Sequence, residues 1–429
     1  MSRNLLDHIH REGHFVSTSS KRTLIRGGML IDGTGAEPID TGAILIENGK
    51  ILEVGAASDI RSTGAEVIDA GGRTIMPGLI DAHIHIGSDG NPNPMRRLKE
   101  KHAYTAIKSG VHARKLLEAG FTTVRDAAAH GYTNIATRDA INDKLIPGPR
   151  MRAPGYGLTS TGGHGDSYYA AHVSIDNPGL CDSPDEVRKA TRLMLKMGAD
   201  CIKFVSATGG VMSDGDEPGA PHMTIEEMAA GIHEAKAHGV HTFAHAQGTT
   251  GIQNAIKAGI TSIEHGFWID DETVEMMLAN NVYFVPTLNA VFQIVEYGEE
   301  AGIPAYAVRK ASEAQEAHLE SFDRAYKAGV KIAMGTDAGT PFNKQGENAI
   351  ELELMRRAGM SAMDTIVATT KIAAECIQFG DVTGTLEVGK SADIILVDGN
   401  PLDQVNILRN TEKIQLVMKE GEVFANRMS

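Results

Sequence analysis

The chain has 429 residues, of which 42% are hydrophobic and 22% are charged, so it is long enough to bury a large core without disulfides. Its length suits a barrel of roughly 250–300 residues with a smaller partner domain. The net charge of −14 argues against nucleic acid and anionic membranes as partners. The cysteines Cys181, Cys201 and Cys376 are unclustered, which argues against a disulfide framework and a zinc finger.

The beginning of the chain carries no targeting signal that we recognise. Residues 1–20 are polar and lack the apolar stretch of a signal peptide, and we interpret them as an extension. The pair His8 and His10 lies there without any strand pattern around it, so we treat it as background. No run of about 18 apolar residues follows, which excludes an obvious transmembrane helix and favours a cytoplasmic location.

The sequence patterns at both ends of the chain predict short strands and tight turns. Asn48-Gly49 and Glu420-Gly421 each separate two β-rich runs, as expected of hairpins whose turn residues take positive φ. Because residues 21–76 and 381–429 share this pattern, we predict one small β-sandwich domain built from both chain ends.

The middle of the chain, residues 77–380, alternates between helices and strands. Five times a helical stretch ends at a glycine and an apolar strand follows at once, at Gly120, Gly198, Gly239, Gly259 and Gly329. Eight strand candidates can be counted, the third (MRAPGY) and seventh (YFVPTL) being the weakest, and the last is IAMGTD. Eight strands alternating with helices predict an α/β fold of the (β/α)8 TIM-barrel type.

Polar residues at the ends of these strands indicate a metal site, because barrel active sites form at the C-terminal strand ends. His83 and His85 lie two residues apart in the first strand, so both imidazoles can reach one metal. His245, His265 and Asp337 end the fifth, sixth and eighth strands. Taken singly, each is more often structural, but together these nitrogen and oxygen ligands suit zinc, with manganese or cobalt as alternatives.

Lys203 stands in the apolar fourth strand, CIKFV. Burial makes an unpaired ammonium costly and lowers its pKa. One interpretation is a snorkelling or ion-paired lysine. The other is a neutral amine that reacts with carbon dioxide, so that the carbamate (N6-carboxylysine) bridges two cations.

These residues resemble those of the amidohydrolase superfamily, in its binuclear branch with a carboxylated lysine on strand 4. Within this branch the chain is similar to imidazolonepropionase-related hydrolases that act as Xaa-Pro dipeptidases, carboxypeptidases or ochratoxinase-like amide hydrolases. The resemblance covers nearly the whole chain and does not specify a substrate. It is carried by the motifs TLIRGGMLIDGTG, MPGLIDAHIH, GFTTVRD, GGHGD, ATGGVMS, AHA, IEHG, GTDAG and GKSADIILVDGNPL.

The resemblance implies two divalent metal ions per chain, most simply Zn²⁺. His83 and His85 would bind one, His245 and His265 the other, and carboxylated Lys203 would bridge them. Asp337 would complete the first site and shuttle a proton from a bridging hydroxide, which attacks the substrate carbonyl, to the leaving amine.

The resemblance also implies substrate contacts. His164, in TSTGGHGDSYY, would steady the oxyanion, unless it is only a loop histidine fixed by Asp166. Tyr168 and Tyr169 either line the pocket or pack the loop. Gln247 stands where dipeptidase-like relatives often have tyrosine and carboxypeptidase-like relatives often have histidine, which puts proline specificity in doubt.

We therefore predict hydrolysis of an amide bond next to a free carboxylate, in a dipeptide or an N-acyl amino acid. The alternatives are a cyclic-amide hydrolase or a deaminase on the same scaffold, or a metal-free scaffold protein. Deaminases of the superfamily usually lack the bridging lysine, and none of the expected ligands is missing here. The expected partners are a small-molecule substrate and further copies of the chain in a homo-oligomer.

Overall fold

The computed structural model describes residues 22–61, 64–166, 170, 172–173 and 175–428. The predicted extension, with His8 and His10, and the tyrosines Tyr168 and Tyr169 lie outside the described residues. Within the described ranges no helix has the length and apolar character needed to cross a membrane.

Strands and helices alternate through the middle of the chain, and strands dominate both ends, so the fold is α/β. The strands are β1 (Arg22–Leu30), β2 (Ile39–Glu47), β3 (Lys50–Ala56), β4 (Glu66–Asp69), β5 (Thr74–Pro77), β6 (Leu79–Ile84), β7 (Phe121–Asp126), β8 (Arg150–Arg152), β9 (Cys201–Phe204), β10 (His241–Ala246), β11 (Ser262–His265), β12 (Tyr283–Val285), β13 (Ile394–Val397), β14 (Ile414–Lys419) and β15 (Glu422–Asn426).

The helices pack around the parallel strands of the middle region. They are α1 (His102–Glu118), α2 (Thr133–Asn142), α3 (Pro184–Lys196), α4 (Ile225–Ala237), α5 (Thr249–Ala258), α6 (Asp271–Asn280), α7 (Leu288–Tyr297), α8 (Ala305–Ala328), α9 (Ile350–Arg357), α10 (Ala362–Val367) and α11 (Ala373–Cys376). A π-helical turn, Ala368–Ile372, joins the last two. Short 3₁₀ segments are Pro94–Lys99, His130–Tyr132, Glu299–Ala301, Val405–Arg409 and Thr411–Lys413.

Strands from both chain ends pair in one eight-stranded sheet of order β15-β14-β13-β5-β1-β2-β3, with β4 beside β1. Both predicted hairpins are confirmed: Glu47 pairs with Lys50, and Lys419 with Glu422. Their turn residues have positive φ, for example 50° at Asn48. The two chain ends therefore pair in a single sheet, as predicted. That this sheet forms a β-sandwich domain stays a prediction.

The middle strands form two parallel sheets, β6-β7-β8 and β12-β11-β10-β9. Parallel bridges connect them at both edges. On one side Leu158, after β8, pairs with Phe204 of β9. On the other side Phe284 of β12 pairs with Ile332, and Ala338 pairs with Ile84 of β6.

The eighth predicted strand, IAMGTD, is not a regular strand, and in this respect the prediction is wrong. Its backbone alternates between partners: the Met334 amide donates to the Ala368 carbonyl at 3.0 Å, and the Asp337 amide to the His83 carbonyl at 2.8 Å. Asp337 has φ 57°, which interrupts an extended ladder. Only glycine fits at Gly335, because a Cβ would lie 2.4 Å from Val285 Cγ1.

The predicted helix boundaries agree with the structure. All five glycines predicted to end a helix have positive φ, from 69° at Gly239 to 96° at Gly259. Thr224 and Glu227 form a complete capping box. Ser183 caps α3 through the Glu186 amide, but the Glu186 carboxylate accepts from the Asp182 amide instead of closing the box.

Strand β13 shows how the sheet of the chain ends packs against the middle of the chain. Ile394 and Leu396 belong to the apolar cluster inside that sheet. Ile395 and Val397 belong to the large cluster shared with the parallel strands and helices. Successive side chains of a strand point to opposite faces, so the two faces of this short strand pack into two different apolar clusters.

Arg150 of β8 ties the two parts together. It donates to the buried Asp393 at 2.5 Å and to Glu420 at 2.8 Å. Burial alone would raise the pKa of Asp393, but the charge and hydrogen bonds of Arg150 hold that pKa below its ordinary value. The carboxylate thus stays ionised inside the protein.

We expect Arg150→Met to destabilise the fold by about 3 kcal/mol at pH 7, because it leaves the Asp393 charge buried and unpaired. The thermal midpoint from calorimetry measures the loss. Arg114→Met is the matched control, since Arg114 forms only an exposed pair with Glu118, and we expect it to change stability by less than about 0.5 kcal/mol. Equal midpoints for the two variants would contradict a role for Arg150 in joining the sheet of the chain ends to the middle of the chain.

Candidate metal centre

The predicted ligands converge on one cavity of about 560 Å³ at the C-terminal ends of the parallel strands. His83, Lys203 and His245 lie within β6, β9 and β10, and His265 ends β11. His85 and Asp337 follow in the connecting segments. Each of the six residues lines the cavity: His83, His85, Lys203, His245, His265 and Asp337.

The tightest group within the described ranges contains His83, His265 and Asp337, whose ligand atoms lie within 4.8 Å of one another. Asp337 Oδ1 lies 3.5 Å from His83 Nε2 and 3.3 Å from His85 Nε2. This oxygen is buried and has no hydrogen-bond partner in the described part of the chain. An unpartnered carboxylate oxygen facing imidazole nitrogens suits a divalent cation, so these residues fit a metal.

Three of the histidines use Nδ1 for a hydrogen bond, which leaves Nε2 available as a ligand atom. The Nδ1 contacts are His83 to the Glu264 carboxylate (2.6 Å), His85 to the Ala128 carbonyl (3.2 Å) and His265 to the Thr287 hydroxyl (2.7 Å). Partners of this kind set the orientation of the ring as well as the tautomer.

His245 differs from these histidines. Its Nε2 lies 3.1 Å from the Gly209 carbonyl, so Nδ1 is the atom left for a metal. Its ring centroid is 4.5 Å from that of His265. The structure thus brings His245 beside the tight group without including it, and the assignment of His245 and His265 to a second metal stays a prediction.

Lys203 is 3% exposed, and its Nζ lies 5.0 Å from the ring centroid of Phe243. Burial lowers the pKa of Lys203 to about 8, against the opposing effect of the Glu264 and Asp337 carboxylates. Part of the population therefore carries a neutral amine near neutral pH, which is the form that reacts with carbon dioxide.

Electrostatics in the cavity favour neutral imidazoles and an ionised carboxylate. Burial lowers the pKa of His83, His245 and His265 well below the ordinary value, and the positive charge of Lys203 adds to this. Burial acts to raise the pKa of Asp337, but the neighbouring histidines and Lys203 outweigh it, so that pKa is lowered. These are the protonation states that metal ligands require.

The backbone is strained at the same place. His265, Thr287 and Asp337 have φ of 74°, 52° and 57°, in the left-handed region that non-glycine residues seldom occupy. Such outliers persist only where surrounding contacts impose them, and they cluster at functional sites.

Sequence reasoning missed the residues that support the ligands. Glu264 accepts from His83 and, through its other oxygen, from the buried Arg125 at 2.9 Å. Asp81 accepts from the His83 amide at 3.0 Å and from the Thr336 hydroxyl at 2.6 Å. The signal was present in the sequence, because each is an acidic residue inside a predicted strand and stands next to or two residues before a predicted ligand, His265 or His83.

Asp126 has a structural role, but not through an ion pair with its neighbour Arg125. Its carboxylate accepts from the Ile86 amide at 2.8 Å and from the Asn134 side chain at 2.8 Å. Arg125 points instead across the strands to Glu264.

His164 lies beside the ligands and is not fixed by Asp166. Its Nδ1 forms a short hydrogen bond with the Ser213 hydroxyl, and its ring stacks on His245 at 4.0 Å. The Asp166 carboxylate accepts from the Gly162 amide instead. Burial, with Lys203 nearby, lowers the pKa of His164 to about 3, so this ring is neutral.

Gln247 lines the cavity and is 4% exposed. Its Oε1 accepts from the Val211 amide at 3.2 Å. The orientation leaves the amide N–H groups as donors to a ligand.

Comparisons with known proteins agree with this geometry. The pattern of the amidohydrolase family matches residues 74–424. Ochratoxinase of Aspergillus niger is 33% identical over 427 residues, covering 94% of this chain and 87% of the relative. A solved Xaa-Pro dipeptidase with methionine bound in its active site is 34% identical, with a TM-score of 0.88 and coverage of 95% of this chain and 100% of that one.

A prolidase solved with N-methylphosphonate-L-proline is 28% identical, with a TM-score of 0.86 and coverage of 94% of this chain and 99% of that one. The family pattern and the ochratoxinase relative each extend over most of the sequence. The chain therefore belongs to the amidohydrolase family and is a hydrolase acting on C–N bonds.

Proposed function

We propose that this protein is a binuclear metal-dependent hydrolase that cleaves an amide bond next to a free carboxylate, in a dipeptide or an N-acyl amino acid. The observation that carries the proposal is the buried, unpartnered Asp337 Oδ1 facing the Nε2 atoms of His83 and His85. The similarity to an Xaa-Pro dipeptidase and to ochratoxinase supports an amide substrate.

The proposal includes a closed (β/α)8 barrel over residues 77–380. It is supported by the parallel bridges that join the two middle sheets at both edges. The pairing of β13 with β5 supports a second domain made of residues 21–76 and 381–429.

We assign one metal to His83 and His85 with Asp337, and the other to His245 and His265. Lys203, carboxylated on its amine, would contact both. Zinc is the expected ion, because the set combines imidazole nitrogen with carboxylate oxygen. When bound, such ions lower the pKa of a water molecule and polarise the substrate carbonyl.

The residues of the chain handle the proton and the developing charge. Asp337, ionised in this environment, accepts the proton of the attacking water and donates it to the leaving amine nitrogen. We assign the proton of neutral His164 to Nε2, with Nδ1 in the hydrogen bond to the Ser213 hydroxyl. The Nε2–H group then donates to the carbonyl oxygen, where charge grows in the transition state. Burial keeps His164 neutral, whereas the neighbouring histidines and Lys203 outweigh the effect of burial and keep Asp337 ionised.

The cavity walls define the substrate further. Gln247 donates to the carboxylate next to the scissile bond, because its carbonyl is already engaged by Val211. An apolar wall, formed by Val211, Phe267, Val291 and Ile294, follows on from Gln247. We therefore assign an apolar side chain to the residue that carries the carboxylate.

Elemental analysis of protein purified without chelators should approach two metal ions per chain, because the proposed ligand set would hold two. Chelation should abolish hydrolysis, and added Zn²⁺ should restore it. A stoichiometry of one would contradict the binuclear assignment and favour the deaminase alternative.

Asp337→Asn should preserve the fold and lower turnover by about 10²–10⁴-fold, because an amide cannot move a proton. Hydrolysis of a panel of dipeptides and N-acyl amino acids by zinc-loaded protein measures the loss, with circular dichroism as the check on folding. Turnover within threefold of the unchanged protein would show that another group moves the proton.

Lys203→Ala should lose at least one metal ion and nearly all activity, because the carbamate that would contact both ions cannot form. Acetate or propionate should restore part of the metal content and rate by filling the vacated space. Lys203→Arg is the matched control and should not respond, since a guanidinium stays protonated. Plain lysine in a high-resolution map with both metals bound and full activity would refute the carbamate.

A further inference from the structure

A cationic segment borders the cavity of an otherwise acidic protein. Residues 95–108 contain five lysine and arginine side chains and a single acid, whereas the whole chain has a net charge of −14. The segment begins in the 3₁₀ turn Pro94–Lys99 and continues into α1. Arg96, Arg97 and His102 line the cavity.

Two of these five cations, Arg96 and Lys108, are paired with carboxylates. Arg96 lies 3.4 Å from Asp89 and 3.8 Å from Glu100. Lys108 lies 2.7 Å from Glu100 and 4.0 Å from Asp89. Two carboxylates are therefore held by two cations in a closed cluster at this edge of the cavity.

Arg97 is left over from this cluster. Its side chain is exposed and lines the cavity, and no carboxylate oxygen of the described ranges lies within 4.0 Å of its guanidinium. Its positive charge, after burial, contributes to the lowered pKa of His130, which places it on the same side of the cavity as the end of β7. An arginine in a concave site without a carboxylate partner is suited to an anionic ligand.

The order of the strands places Arg97 away from Gln247. Arg97 follows β6, and Gln247 follows β10 in the other parallel sheet. In the proposed ring of eight strands, β6 and β10 stand on opposite sides. A substrate whose carboxylate contacts Gln247 thus extends its acyl part toward Arg97.

We propose that Arg97 forms a second anion-binding subsite, for a carboxylate at the far end of the acyl group. The substrates would be N-acyl amino acids or dipeptides whose acyl part is a dicarboxylic acid or an acidic residue. This inference rests on the proposed amide hydrolysis, because that reaction defines which end of the substrate is the acyl side.

Binding can be measured independently of turnover with ketomethylene analogues, in which a methylene replaces the scissile amide nitrogen. Calorimetry with the zinc-loaded protein compares the analogue of N-succinyl-phenylalanine with its succinamoyl counterpart, which has the same shape but no distal charge. We expect the succinyl analogue to bind about tenfold or more tightly, and Arg97→Gln to remove that preference. Arg114→Gln, outside the cavity on α1, is the matched control and should retain it.

Equal affinity of the unchanged protein for the two analogues would overturn the subsite. The subsite would also be overturned if Arg97→Gln lowered the affinity for both analogues equally. That result would mean that the substitution changes the loop and not the recognition of charge. Hydrolysis of the corresponding amides is measured in parallel. A charge preference in binding without hydrolysis of any amide would refute the proposed function and leave an anion site at Arg97.

Discussion

The buried ion pair between Arg125 and Glu264 is the interaction on which the rest of the site depends. Both side chains are fully buried, and their atoms lie 2.9 Å apart. Arg125 also donates to the Ala82 carbonyl of β6 at 2.7 Å and stacks on Phe243 of β10 at 3.9 Å. A single guanidinium therefore links strands from both parallel sheets, and its charge is tolerated only because Glu264 neutralises it.

The same pair orients a histidine of the candidate metal centre. One oxygen of Glu264 is held by Arg125, so the other can accept from His83 Nδ1 at 2.6 Å. That bond fixes the tautomer in which His83 Nε2 faces Asp337. Structural and chemical roles coincide here, because the Glu264 carboxylate that neutralises Arg125 also orients His83, a candidate metal ligand.

A second buried carboxylate, that of Asp81, holds the irregular segment 332–337. Asp81 accepts from the amide and hydroxyl of Thr336 and from Asn348. These bonds compensate for the irregular ladder between Gly335 and Asp337. Asp337 can keep its positive φ because the hydrogen bonds from Thr336 to Asp81 fix the position of the preceding residue. As a result, the Asp337 carboxylate points inward among the histidines.

Local rules in the sequence determined the alternating αβ pattern, the hairpins and the residues at the strand ends. They could do so because positive φ at glycine, helix capping and the strand period depend on neighbouring residues. Tertiary structure alone decided that His265 groups with His83 and Asp337, and that Arg125 pairs with Glu264 and not with Asp126. It also decided that Arg97 has no carboxylate partner among the residues that the structure describes. Those outcomes depend on which distant strands meet and how their side chains share limited space, and no local pattern encodes them.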